Sequence, residues 1–317
     1  MKYAILSDIH GNRFALEATL DDAKAQRADM FLFLGDYGGF PWGNEVIGEL
    51  SGIHPAVVIR GNGEGYIIHL LTKNPNELID EQFKPVYWTY RNLTKENLAF
   101  LTALPEKAVV PAHDTVIHLA HAMDLFYRPQ KIDLFHPNMK YHNLMARTHM
   151  THSVYLTSAR EALLSRADAV TDLEKLPGGI YLFGHNHLQF YMEYGDKLFI
   201  NPGSCGEALD WDATAAYTLL DLTPDSRIVT ERRVPYNLKS VSDGLRDSGF
   251  TAYAPVWSDI MERELLTGKG YFGLFVHHLI KMGHELGKTD YPVGNDVWDA
   301  AVSSWEPDRL WTEEVRR

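Results

Sequence analysis

An α/β fold built on a largely parallel sheet is predicted by two features of the N-terminal part of the chain. Three short apolar runs, residues 3–6, 30–34 and 56–59, each end in a polar, glycine-containing loop. Those loops are Asp8-Ile9-His10-Gly11-Asn12, Gly35-Asp36-Tyr37-Gly38-Gly39 and Arg60-Gly61-Asn62-Gly63-Glu64. Between the runs the patterning is helical: Phe14, Leu16, Leu20 and Ala23 form an approximate apolar stripe, and residues 44–50 also suit a helix. Continuous apolar runs of this length fit strands buried on both faces. Their alternation with helices is the βαβ rhythm, and such sheets carry ligands beyond the carboxyl ends of their strands.

The remaining elements follow in order. Residues 94–104 read as a helix that stops before Pro105, because a residue preceding proline is biased away from helix. Residues 108–110 and 115–119 read as strands joined at Ala112-His113-Asp114, the second leading into His121. A long excursion, about 124–176, precedes the next core strand. Within it Ser158-Ala159-Arg160-Glu161 matches a capping box, predicting a helix that starts there and runs towards Ala167. The run Ile180-Tyr181-Leu182-Phe183 is a buried strand, which Gly184 ends by permitting a sharp turn. Two strands are expected around Tyr194-Gly195-Asp196, then Asn201-Pro202-Gly203-Ser204, then a hairpin from residues 215–222 and 228–234. This gives a core over 1–236 and a mainly helical C-terminal extension over 237–317, rich in aromatics.

Composition narrows the function class. The 317 residues are 45% hydrophobic with a formal net charge of −12. That charge argues against general binding to long nucleic acid or an anionic membrane surface. One cysteine, Cys205, leaves no intramolecular disulfide and fits a reducing cytoplasm. No apolar run approaches a membrane span, and the N-terminus meets Asp8 too early for a secretory signal. A cytoplasmic, soluble protein is expected.

The chemistry lies in the polar residues at the strand ends: Asp8, His10, Asp36, Asn62, His121, His185 and His187. Taken singly, each has an ordinary reading as a helix cap, a turn residue or a hydrogen-bonded core histidine. Together they occupy equivalent topological positions, and mixed carboxylate, amide and imidazole donors suit manganese, iron or zinc. Asp36 is the natural bridging carboxylate, because two adjacent cations need shared negative charge between them. Two ions roughly 3.5–4 Å apart can activate a water and clamp a phosphoryl group.

With Asp8-Ile9-His10, Gly35-Asp36, Gly61-Asn62-Gly63-Glu64, His121 and Gly184-His185-Asn186-His187 in this order, the chain resembles the calcineurin-like metallophosphoesterase superfamily. The likeness covers roughly residues 1–235, and Ser7–Asn12 with Asn201–Ser204 is most similar to its small bacterial phosphodiesterase branch. The resemblance implies an αββα sandwich of two packed, mostly β sheets flanked by helices. It implies two divalent ions, one on Asp8, His10, Asp36 and His187, the other on Asp36, Asn62, His121 and His185. A water bridging the ions would then be the nucleophile, with Asp36, Asn62 and His121 at the reacting centre and a small phosphorylated molecule as substrate.

Many members carry a histidine after Gly-Asn that is thought to protonate the leaving group; this chain has Gly63. A site without that acid fits diesters, phosphoanhydrides or activated esters better than alkyl monoesters. Glu64, His118 and the histidines of the excursion are open replacements. Asn12 is expected either to bind phosphate or to cap a helix, and Arg60 either to bind phosphate or to form a salt bridge. Ser204 and Cys205 read as loop-shaping and packing residues. His149 and His152 have near-metal spacing, whereas His277-His278 diverge on a helix. Tyr271, Phe272 and Phe275 read as core. The excursion and the C-terminal helices would wall the cleft, and acidic walls would disfavour long polyanions. The contrasting reading is a non-catalytic binding or scaffold module on the same fold, for which lost ligands are expected; every ligand position here is filled.

Overall fold

In the computed structural model, residues 1–74, 80–123, 151–290 and 292–316 are described. Two five-stranded sheets form the centre. The first contains β1 (Lys2–Leu6), β2 (Met30–Phe33), β3 (Ala56–Val58), β9 (Ala215–Leu222) and β10 (Arg227–Val234), in the order β10-β9-β1-β2-β3. The second contains β4 (Lys107–Ala112), β5 (Thr115–Ala120), β6 (Gly179–Leu182), β7 (Gln189–Tyr194) and β8 (Lys197–Pro202), in the order β4-β5-β6-β8-β7.

Both sheets are mixed. In the first, β1-β2-β3 is parallel, Tyr3 facing Met30 and Phe31 facing Ala56, while β9 runs antiparallel to β1. In the second, β5, β6 and β8 are parallel, flanked by antiparallel β4 and β7. The parallel βαβ reading thus holds for part of each sheet. The antiparallel strands come from hairpins, whose short turns permit no crossover.

The period-2 geometry of a strand assigns each strand's residues to two layers. From β1, Tyr3 and Ile5 enter the core between the sheets, where Leu32, Ile117, Ile180, Leu182 and Leu220 also lie. Ala4 and Leu6 point the other way, to α1 (Arg13–Ala25) and α2 (Gly43–Gly52) with Leu16, Leu20, Val46 and Ile47. From β6, Tyr181 points outward to α6 (His152–Leu164) and α7 (Ala167–Lys175), as does Phe183 just beyond the strand. Positions 3–6 of β1 and 180–182 of β6 are all apolar because both faces are covered.

Several helices differ from the sequence reading, α7 among them, where the sequence reading places none. The first, α3 (Asn62–Leu70), follows β3 directly, and α4 (Lys84–Asn92) begins with Pro85 in its first turn; neither was anticipated. The expected helix over 94–104 is α5 (Lys95–Ala103), capped by Thr94. The capping box at Ser158 is a correction: α6 starts at His152 on the N-cap Thr151, so Ser158 sits mid-helix. A capping box needs an N-cap residue outside helical geometry, and Ser158 is already within the hydrogen-bonded turns.

Beyond β10 the chain is helical: α8 (Leu238–Asp247), α9 (Phe250–Tyr253), α10 (Pro255–Thr267), α11 (Tyr271–Glu285), α12 (Asn295–Ser303) and α13 (Pro307–Arg316). They bury an aromatic cluster of Phe250, Trp257, Tyr271, Phe275, Trp298 and Trp311, and this cluster takes in Phe40 and Trp42 from the β2–α2 connection. The C-terminal helices are therefore packed on the loop that carries Asp36. No described helix is long and apolar enough to cross a membrane.

Candidate metal centre

Six of the seven polar residues singled out in the sequence lie in loops or turns at the carboxyl ends of β1, β2, β5 and β6, and Asn62 opens α3 just past β3. The two sheets pack with those ends on one side, so loops from both converge. Short backbone bonds tie them together: Asp8 N–H donates to Gly35 O (3.0 Å), His10 N–H to Asp36 O (2.9 Å) and Gly184 N–H to His121 O (2.8 Å). His185 N–H donates to the Asp8 carboxylate at 3.0 and 3.2 Å.

Two trios of donor atoms result: Asp8, His10 and His187, and Asp8, Asp36 and His121, each with its atoms within 4.8 Å of one another. Asp8 belongs to both trios, and Asp36 Oδ2, in the second, is 3.4 Å from His121 Nε2 and 4.0 Å from His10 Nε2 of the first. Asp8 Oδ1 lies 3.5 Å from His187 Nε2 and 4.0 Å from His121 Nε2. Asn62 presents Oδ1 2.9 Å from His121 Nε2. Among the described residues His185 is in neither trio; its ring lies edge-on to that of His121, centroids 5.2 Å apart.

The histidines are oriented from behind. His187 Nδ1 meets Glu207 O at 2.6 Å, and His121 Nδ1 meets Leu34 O at 2.8 Å. A carbonyl only accepts, so each Nδ1 carries the proton and each Nε2 turns a lone pair or a second proton towards the cluster. His10 Nε2 then faces His187 Nε2 at 3.2 Å, and His121 Nε2 faces an amide oxygen. Acceptors facing one another at such distances need a cation or a proton between them. The donor set fits divalent cations of the manganese, iron and zinc group.

The electrostatics agree. Burial alone would lower His121, but the Asp36 carboxylate more than reverses this, pushing it up to about 10. His10 is also raised, burial being outweighed by Glu207, Asp36 and Asp8. Burial lowers His187, and the neighbouring His10 lowers it further. Burial works against ionisation of Asp36, yet His121 and the Gly63 N–H hold it well below the usual carboxylate range. In the protein alone, the carboxylates of this cluster favour the charged form of His121 and of His10, the same bias that would favour a bound cation.

The backbone is bent to make this possible. Asp8, His10, Asp36, His185 and His187 all have positive φ, between 49° and 71°. The left-handed region costs a non-glycine residue of order 1–3 kcal/mol and persists only when surroundings over-determine it. Two glycines provide the close approach. A Cβ on Gly184 would collide with Ser7 Oγ and an Asp8 carboxylate oxygen, and one on Gly61 with Asp36 Oδ1.

Several expected roles fall elsewhere. Asn12 is fully buried: its Oδ1 caps α1 at Ala15 N (3.1 Å), and its Nδ2 donates to Gly206 O (2.9 Å) and Tyr236 Oη (3.3 Å). Both ends of the amide are used within the protein. Arg60 pairs with Glu106 at 2.6 Å, the salt-bridge alternative. Glu64 is buried and accepts backbone N–H bonds from Asp36 (2.9 Å), Tyr37 (2.8 Å) and Gly61 (2.8 Å). It is the anchor of the Asp36 loop and not a proton donor in the cleft. His118 points to the outer face of the second sheet, stacked on Tyr181 with centroids 4.8 Å apart. Ser204 Oγ–H donates to Asp8 O (2.7 Å), and Cys205 is buried near Thr19, both as expected. His152 reaches Gln189 O at 3.0 Å, while His149 lies outside the described residues. His278 is buried against Ala301 O and Ser304 Oγ. Tyr271 and Phe275 are core, but Phe272 is 44% exposed.

The sequence reading missed Glu207 and Glu264. Glu207 Oε2 is 3.7 Å from His10 Nε2, and Glu264, only 1% exposed, accepts from Phe272 N–H (2.7 Å) and shares a hydrogen bond with Glu207. Burial, then the Glu207 charge, pushes the Glu264 carboxyl well above its ordinary range. A lone acid in an aperiodic loop and one acid on a helix give no motif. Proximity to Asn201–Ser204 was the signal available for Glu207.

A cavity of about 270 Å³ opens on the cluster beside His10, Asp36 and Asn62. Its acidic groups beyond Asp36 are Glu207 and Glu264; most of the wall is apolar, from α3, α4, α10, α11 and α12. The expectation of acidic walls is corrected accordingly, because the C-terminal helices present their aromatic faces here.

The comparisons with known proteins follow this geometry. An uncharacterized protein of Methanocaldococcus jannaschii is 26% identical over 255 residues, 74% of this chain and 88% of its own length. A metallophosphoesterase structure from Sphaerobacter thermophilus covers 84% of this chain and 99% of its own, at 23% identity and a TM-score of 0.58. A hypothetical protein of Pyrococcus horikoshii covers 82% and 97%, at 18% identity and a TM-score of 0.59. These two likenesses are of fold. The family model for the calcineurin-like phosphoesterase superfamily domain matches residues 1–225, and with most of its length matched the chain belongs to that superfamily.

Proposed function

We propose that this protein is a two-metal hydrolase of small phosphate esters. The observation that carries the reading is the convergence of Asp8, His10, Asp36, His121 and His187 from loops of both sheets, with the His121 and His187 rings oriented by backbone carbonyls. Asn62 and His185 complete the proposed ligand set from the rim. Two divalent cations held there would supply an activated water and polarise the phosphoryl oxygens.

The chain's own residues do the rest. Glu64 fixes the Asp36 loop through three N–H bonds, and Gly63 N–H donates to Asp36 Oδ1 at 2.7 Å, orienting the carboxylate. Glu207 O sets the tautomer of His187. No side chain stands at Gly63 to protonate a departing alkoxide, and Glu64 and His118 are committed elsewhere. This supports diesters, anhydrides or activated esters over alkyl monoesters as substrates.

The test is hydrolysis by metal-depleted protein resupplied with manganese, with an Asp36→Asn variant alongside. The panel holds an aryl phosphomonoester, an aryl phosphodiester, cyclic nucleotides and a dinucleoside polyphosphate. Metal-dependent turnover is expected, reduced in the variant by more than the roughly 100-fold that loss of an outer-shell partner costs. Turnover unaffected by chelation or by Asp36→Asn would overturn the reading. An unactivated alkyl monoester as best substrate would overturn the preference.

A further inference from the structure

We infer that the substrate carries a compact apolar group, an aryl ring or an alkyl chain of about six carbons, seated in a slot between the metal centre and the C-terminal helices. This rests on the phosphoesterase reading, because the slot begins at His10, Asp36 and Asn62. Gly38, Gly39 and Gly63 also line it, together with Ile67 of α3 and an aromatic and aliphatic wall. Trp257, Met261, Phe275, Leu279 and Trp298 form that wall, each at most 9% exposed.

The polar groups beside this wall are already engaged. Trp257 Nε1–H donates to Glu81 O (2.9 Å), Gln82 Nε2 to Val293 O (2.8 Å) and Thr89 Oγ to Pro85 O (3.2 Å). The Thr89 methyl, not its hydroxyl, is the atom nearest Gly38. A nucleobase or sugar pushed into such a wall would lose hydrogen bonds to water without replacing them. An apolar group loses nothing and gains by burial. The Glu207–Glu264 pair sets the opposite bias for charge: a second phosphate would meet acidic oxygens there.

Size sets the length. A cavity of about 270 Å³ lies just below the range of about 300–1,000 Å³ that holds drug-sized ligands. At the mouth, Tyr66 and Phe272 are 54% and 44% exposed, giving an apolar rim to an otherwise polar opening. Gly63 lines the cavity beside the cluster, where a Cβ would lie 3.1 Å from Asp36 Oδ1.

The experiment measures binding separately from catalysis. Methyl-, butyl- and hexylphosphonate and adenosine 5′-monophosphate are titrated calorimetrically into the full chain loaded with manganese. Affinity is expected to rise towards about fourfold per methylene that enters the slot, with hexylphosphonate above the nucleotide. Val276→Trp, which fills the slot from a half-buried position on α11, is expected to flatten the series. Phe272→Ser, at the exposed rim, is expected to weaken hexylphosphonate several-fold more than methylphosphonate. A flat series in the natural chain, a nucleotide that binds more tightly than hexylphosphonate, or a series unchanged by both substitutions would overturn the inference. Turnover of methyl and hexyl aryl phosphodiesters is followed in parallel. A rising binding series without metal-dependent turnover would leave the slot standing and remove the hydrolase reading. Metal-dependent turnover with a flat series would do the reverse.

Discussion

Single residues in this centre carry opposing demands, and His121 shows the outcome most directly. Its raised value in the protein alone, about 10 against an ordinary 6.5, arises because the Asp36 carboxylate overcomes the burial penalty. A group raised on folding stabilises fully below its unfolded value and loses that contribution as pH rises through the folded one. Thermal melts in chelator should therefore show the cation-free protein losing stability between about pH 6.5 and 10. A His121→Gln variant should lack that part of the slope; equal slopes would refute the assignment. Glu64→Ala removes the acceptor of three buried N–H groups and should cost about 3 kcal/mol or more in denaturant unfolding. Gly184→Ala should lower metal affinity more than stability, since the new methyl displaces the Asp8 carboxylate; calorimetric manganese titration distinguishes the two. The residues of this centre were legible because each lies within four positions of the end of an apolar run. Asn12 was ambiguous, because one asparagine pattern serves both a helix cap and an anion site. Glu207 was illegible because nothing periodic marks a loop carboxylate.

Elements were legible where an apolar run and a turn signal coincided. Strands β1, β2, β3 and β6 and the β9–β10 hairpin satisfy that condition, and their positions follow from it. The partner of each strand did not follow, because an apolar run buried on both faces does not say which edge it pairs with. Helices α3 and α4 escaped notice for other reasons. The polar Gly61–Glu64 stretch masks the start of α3, and α4 opens on Lys84-Pro85 and mixes Tyr, Trp and Thr with no clean apolar stripe. The misplaced start of α6 gives a direct check. Thr151→Ala removes the observed N-cap and should cost roughly 1 kcal/mol. Ser158→Ala, mid-helix, should stay within about 0.5 kcal/mol. Denaturant midpoints of the two variants settle which serine or threonine starts the helix; a costlier Ser158→Ala would restore the capping-box reading.

At the scale of the whole molecule, the C-terminal helices share one apolar cluster with Phe40 and Trp42, so they are coupled to the loop bearing Asp36. A chain ending at residue 236 should expose that cluster, bind an apolar dye and lose metal-dependent turnover together. Retained turnover in a soluble truncated chain would show the coupling to be dispensable. The family match ends at residue 225, whereas Trp257, Met261, Phe275, Leu279 and Trp298 all lie after it. The proposed cation ligands thus all precede residue 225, whereas the slot draws on both stretches, with Gly38, Gly63, Ile67 and Thr89 before that residue and the aromatic wall after it. Under the proposed function, mutational drift in the later stretch would recast the aromatic wall while the proposed cation ligands stay untouched, and grafting a different tail onto the first 236 residues is the corresponding route to altered selectivity.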